Sequence, residues 1–94
     1  MITTFIKHSV KDFASWKAVY DDFTPVAKGK GVVEEHVFRD PGSPDQVIVT
    51  HAFNTMKDAT DFFNSGELKE AMENAGVSSA PEIWFGEELK PTGY

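Results

Sequence analysis

Three histidines, His8, His36 and His51, are the side chains best suited to chemistry near neutral pH. Imidazole titrates close to neutrality, so each can accept a proton, return it, or ligate a metal. Glu34 stands two residues before His36, so strand alternation puts a carboxylate and an imidazole on one face. Trp16, Tyr20 and Trp84 add large rings with polar tips, suited to holding an aromatic ligand while offering it a hydrogen bond. There is no cysteine, which removes thiolate nucleophiles, thiolate metal sites and disulfides together. No H-x-H or H-E-x-x-H spacing occurs, so no metal site is expected. None of the serines lies in a G-x-S-x-G elbow, and no glycine loop of a phosphate- or dinucleotide-binding type is present. Acid/base work by His8, His51 and His36 beside a pocket is the sharp reading. Partly buried histidines hydrogen-bonded to Glu34, Glu35 or a partner chain are the structural alternative.

These residues need elements to position them. "ITTFIKH" (2–8) carries the β-branched and aromatic residues of a strand. The period then changes: Phe13, Trp16, Tyr20 and Phe23 recur every three or four residues, one face of a helix that Asp12 is placed to cap. That face is core first, with the tips of Trp16 and Tyr20 in need of partners. Pro25 is expected to kink or end the helix, with Gly29 or Gly31 closing the turn. Two β-runs follow around "DPGSPD". Thr55 and Asp58 resemble a capping box, and "NSG" (64–66) divides the next helical stretch into two, the second stopping at Gly76. "APEIWFGEEL" is the last strand and "KPTGY" a tail. The order β-α-β-β-α-β predicts one domain over 1–94, α+β and ferredoxin-like, with a four-stranded antiparallel sheet and helices on one face.

The strands are apolar on both faces, whereas a sheet with one wet face alternates apolar and polar. Ile2 and Ile6 oppose Phe5. Val32 and Phe38 oppose Val33 and Val37. Val47, Val49 and Phe53 oppose Ile48 and Ala52, and Ile83 and Phe85 oppose Trp84. Two helices cover only one face, so the other is expected to pack on a second copy of the chain, a homodimer. Pairing Arg39 with Gln46 across the turn would set Glu34 opposite His51 and bring Glu34, His36 and His51 to one face. His8 would join them from a strand parallel to that of His51.

With 40% hydrophobic and 26% charged residues in 94, the chain is globular. Its net charge of -6 speaks against a nucleic-acid surface. No stretch is long and apolar enough to span a bilayer, and the first residues lack a signal-peptide pattern, so a cytoplasmic protein is expected.

The stretches "HSVKDFASWKAVYDDF", "VFRDPGSPDQVIVTHAF", "FFNSGELKEAMENAGV" and "PEIWFGEEL" together resemble the dimeric α+β barrel proteins, in the branch named after antibiotic biosynthesis monooxygenases. The resemblance implies a ferredoxin-like monomer whose sheet packs face to face in a dimer. It also implies a range of activities that includes cofactor-independent oxygenation of phenols. Members of that kind use Asn, Trp and Tyr around a polycyclic phenol, but here Asn54, Asn64 and Asn74 fall at helix starts or on helices. Haem-degrading members use a helical histidine, whereas all three histidines here fall on expected strands. Neither active site transfers residue by residue. The function expected is therefore cofactor-free, oxidoreductase-type oxygenation of an aromatic or enolic small molecule. His8, His51 or His36 would be the base, and Trp16, Tyr20, Trp84 and Glu34 would hold the ligand. The alternatives are a non-catalytic homodimer that binds a small hydrophobic molecule or serves in stress or regulation, and a histidine-dependent isomerase or decarboxylase.

Overall fold

The computed structural model describes residues 1–90, so the last four residues of the expected tail lie outside the described part. Seven elements follow one another: β1 (Ile2–Ser9), α1 (Phe13–Gly29), β2 (Val32–Asp40), β3 (Ser43–Phe53), α2 (Met56–Phe63), α3 (Gly66–Asn74) and β4 (Glu82–Glu87). The strands form one sheet in the order β2-β3-β1-β4, with every neighbouring pair antiparallel. This is the ferredoxin-like arrangement that the element order predicts.

Local chemistry sets most of the boundaries. The Asp12 carboxylate accepts from the Ser15 backbone N–H at 2.9 Å and starts α1. Thr55 and Ser65 cap α2 and α3 in the same way, and Ser65 separates them. Helix α1 differs from expectation at Pro25, which lies inside it without ending it. The missing N–H forgoes only the bond to the Asp21 carbonyl, on the exposed side of the helix. The helix ends instead before Gly31, whose φ of +100° few other residues adopt.

The helices cover one face of the sheet. Ile6, Val10, Trp16, Val47, Val49 and Ala75 make one buried cluster, and Ala27, Val32, Phe53, Ala59 and Phe62 a second. The opposite face carries Phe5 stacked on Trp84, with ring centroids 5.9 Å apart, and Phe38 half exposed on β2. Ile48 and Ala52 lie between them on β3, alternating with the inward valines.

Two features of register depart from the sequence reading. Val32 pairs with Phe53 and Glu34 with Ala52, so Val33 is an extra residue on β2, a bulge. At the other end Asp40 pairs with Ser43 but Arg39 with Val47, because residues 44–46 loop out beyond the tight Pro41–Gly42 turn. Arg39 therefore meets Val47 rather than Gln46. A slip of one residue moves every β2 side chain to the other face. Glu35, not Glu34, stands opposite His51, while Glu34, His36 and Phe38 face away from the helices and Val32 and Val37 face towards them.

Candidate functional site

Beneath α1 and α3 lies a cavity of about 60 Å3, lined almost wholly by apolar side chains and by His8, Tyr20 and His51. Strand alternation supplies its floor: Ile6 and His8 from β1, Val49 and His51 from β3. The α1 stripe supplies Trp16, Val19, Tyr20 and Phe23, and α3 closes the far side with Leu68, Ala71, Met72 and Ala75.

His8 and His51 do not form a cluster. β1 and β3 run antiparallel, so His8 pairs with Val47 and His51 with Thr4. Four residues separate Thr4 from His8, about 13 Å along the strand. The parallel arrangement expected from the sequence would have set the two histidines side by side. Instead they mark opposite ends of the cavity, with Ile6 and Val49 between. The α1 rings span that distance: His8 to Trp16 is 5.7 Å, Trp16 to Tyr20 5.0 Å and Tyr20 to His51 6.2 Å between centroids.

His51 sits in an aromatic box, 5.3 Å from Phe62, 6.4 Å from Phe63 and 6.5 Å from Phe53. Burial depresses its pKa to about 4, an effect that nearby Glu35 opposes without overcoming. Its Nε2 lies 3.8 Å from Glu35 Oε2, and its Nδ1 is buried without a hydrogen-bond partner. Glu35 is itself held by the Thr24 hydroxyl, which donates to Oε1 at 3.1 Å. The arrangement is carboxylate, imidazole, then a free nitrogen. It leaves His51 neutral at pH 7, supported on one side and able to bond on the other.

His8 is 6% exposed, neither ring nitrogen has a partner, and burial lowers its pKa. The Tyr20 hydroxyl is likewise buried and unpartnered. Burial, and secondarily the Glu35 and Asp21 carboxylates, push its pKa far up, so it stays a neutral phenol. Glu35 is close enough to act through its charge, but no hydrogen bond to Tyr20 closes in this geometry. A buried polar atom without a partner costs about 1–3 kcal/mol, and three such side chains line this one cavity.

The remaining sequence candidates lie elsewhere. His36 Nε2 meets Glu34 Oε1 at 2.7 Å, both exposed on the open sheet face. Trp84 stacks on Phe5 on that same face. The structure thus brings together His8, Trp16, Tyr20 and His51, but not His36, Glu34 or Trp84, because the Val33 bulge and the Arg39–Val47 register turn the β2 pair outward. Glu35 is the residue that sequence reasoning passed over in favour of its neighbour. Among the described residues no group of three His, Asp or Glu side chains is placed to hold a metal. No helix of the described part is long and apolar enough to cross a membrane.

The fold and site together define a ferredoxin-like α+β protein with an apolar cavity between its helices and its sheet. Its fold is that of the antibiotic biosynthesis monooxygenase-like proteins. A protein of Bordetella bronchiseptica, provisionally named an antibiotic biosynthesis monooxygenase, superposes with a TM-score of 0.81 at 15% identity, covering 95% of this chain and 97% of its own. A Caulobacter crescentus protein with the same provisional name gives 0.79 at 16%, covering 95% and 90%. A Nitrosomonas europaea protein of unknown function gives 0.78 at 20%, covering 99% and 93%. No family model and no curated protein matches the sequence. At these identities the likeness establishes the fold; the chemistry rests on the residues.

Proposed function

We propose that this protein carries out cofactor-free oxygenation of a small phenol or enol held in the cavity between α1, α3 and the sheet. The observation that carries this reading is the set of buried, unpartnered polar atoms of His8, Tyr20 and His51 in an otherwise apolar cavity. A hydroxylated ring or enol supplies the donor and acceptor that these atoms lack, and its apolar body matches Ile6, Val49 and Trp16.

His51 Nδ1 takes the substrate hydroxyl proton, and Glu35 stabilises the imidazolium so formed. The substrate anion adds to O2 through carbon, and the imidazolium returns its proton to the resulting peroxide. Loss of water then leaves a new carbonyl: one oxygen atom enters the product and the other departs as water. Magnitudes narrow the substrate. A phenol with a pKa near 10 transferring its proton to an imidazole at about 4 faces about 8 kcal/mol. Turnover of about one per second corresponds to a barrier of about 17 kcal/mol. The step is feasible, and enols or hydroxycarbonyls with lower pKa values are the better substrates.

The weak basicity of His51 also favours a second reading, a binding protein that captures such a ligand without turning it over. Oxygen uptake with hydroxylated aromatics and enols separates the two. Uptake that His51→Gln abolishes supports the oxygenase, while ligand-induced thermal stabilisation with no uptake anywhere in the panel overturns it.

The protein is further proposed to act as a homodimer through the open sheet face. Phe5, Phe38 and Trp84 there form an aromatic surface that no element of the same chain covers among the described residues. Aromatic anchors of this kind concentrate at interfaces.

A further inference from the structure

We infer that Leu68 and Met72 of α3 gate the cavity and limit its ligand to a single neutral ring. This rests on the cavity being the ligand site, as proposed above, but not on any reaction there. Leu68 and Met72 line the cavity, and they also line a surface groove of about 580 Å3 on the other side of α3, bounded by Phe63, Pro81 and Ile83. Two half-buried, unbranched or γ-branched side chains thus form the shared wall of a narrow cavity and a wider groove. Met is the most adaptable of apolar side chains, so this wall can yield.

Helix α3 is suited to the part. It has nine residues and none of its side chains is fully buried, whereas α1 and α2 each bury two. It hangs between the Ser65 cap and Gly76, whose φ is +74°. The ion pair between Lys30 and Glu67 ties its first turn to the end of α1, and at its other end the Lys11 N–H donates to the Gly76 carbonyl at 3.1 Å, so the Leu68 and Met72 side chains, not the helix backbone, are the parts that yield.

Volume sets the limit. The cavity holds about 60 Å3, less than half of the ~150 Å3 known to admit benzene in an engineered protein core. One ring therefore enters only by displacing Met72 or Leu68, and a second fused ring has no room while both remain. Charge sets the rest: no Lys or Arg lines the cavity, and Glu35 stands behind His51, so a neutral ligand is favoured over an anion.

Titration calorimetry with phenol and 1-naphthol at pH 7 tests the gate on the whole chain. Greater hydrophobicity alone would make 1-naphthol the tighter ligand, so a reversal is informative. The wild type should bind phenol at least tenfold more tightly than 1-naphthol, and Met72→Ala should erase or invert that ratio. Ala71→Leu, which fills the cavity from the same helix, should weaken phenol at least tenfold. Should Met72→Ala fail to fold by circular dichroism, Ala71→Leu and the wild-type ratio decide. No phenol binding by the wild type, preference for 1-naphthol, or a ratio unchanged in a folded Met72→Ala would each overturn the gate. The expected ratios together with no oxygen uptake anywhere in the panel of hydroxylated aromatics and enols would uphold the gate and overturn the oxygenase.

Discussion

Replacing His51 by Gln should remove about 2 kcal/mol of the protein's loss of stability between pH 7 and pH 5. His51 has a pKa of about 4 when folded and an ordinary 6.5 when unfolded. Between those values the unfolded chain binds a proton that the folded chain refuses, so stability falls as pH drops through 6.5 and levels off below 4. At pH 7 the penalty is nearly absent; at pH 5 linkage puts it at about 2 kcal/mol, tending to about 3.4 kcal/mol below pH 4. A domain of this size has about 5–15 kcal/mol in all, so the effect is easily measured. His8, also depressed by burial, adds a penalty of the same sign but remains in the variant, as does His36. Both cancel in the difference. Urea unfolding of both proteins at pH 7, 6 and 5, at one protein concentration, measures it. The wild type should lose about 2 kcal/mol more than His51→Gln over that range. Equal losses would mean that His51 titrates normally when folded, and the neutral-base mechanism would fall with the burial argument.

Glu35→Gln removes the charge that raises the His51 pKa, so the acid limb of kcat/KM should move to lower pH and turnover fall at least tenfold in oxygen uptake. Gly31→Ala puts a Cβ 3.2 Å from that of Asp58 at a φ of +100° and should cost about 1–2 kcal/mol in urea unfolding. Sedimentation at micromolar concentration should find a dimer. Phe38→Asp should weaken it about a thousandfold, since about 2 kcal/mol at a buried aromatic anchor counts twice across a two-fold interface. A wild-type monomer, or an unaffected Phe38→Asp dimer, would remove the open face as the interface.

The fold was legible because its signals are local or periodic. The Phe13, Trp16, Tyr20 stripe, the Asp12 and Thr55 caps and the two-sided apolar strands each specify an element without knowledge of its neighbours. Strand and helix period group His8 with Ile2 and Ile6, His51 with Val49 and Phe53, and Trp16 with Tyr20, but which sheet face the helices cover had to come from the fold. The partner of His51 could not. It depends on the extra residue at Val33 and on the looped residues 44–46, neither of which changes the composition of its strand. A two-residue Pro–Gly turn followed by a bulge has the same sequence length as a longer, regular turn. The wrong choice exchanges Glu35 for Glu34. Pro25 misled for the opposite reason: its cost depends on whether the Asp21 carbonyl has solvent, which only the packed helix decides.

That one-residue offset has a consequence for how the molecule divides its work. Alternation along β2 sends one glutamate to each face, and the Val33 bulge decides which. Glu35 goes inward to His51, and Glu34 outward to His36. The buried imidazole of His51 therefore acquires a carboxylate without placing its charge on the aromatic surface of Phe5, Phe38 and Trp84. The exposed histidine is paired on that surface without entering the cavity. None of the residues that line the cavity is Phe5, Phe38 or Trp84. Protonating His51 thus perturbs the core beneath the helices, whereas the proposed dimer face lies on the other side of a sheet one residue thick. Sites without shared partners contribute nearly additively. The proposed ligand site and the proposed dimer face are accordingly expected to act separately, and the β2 register decides which glutamate lies on each side.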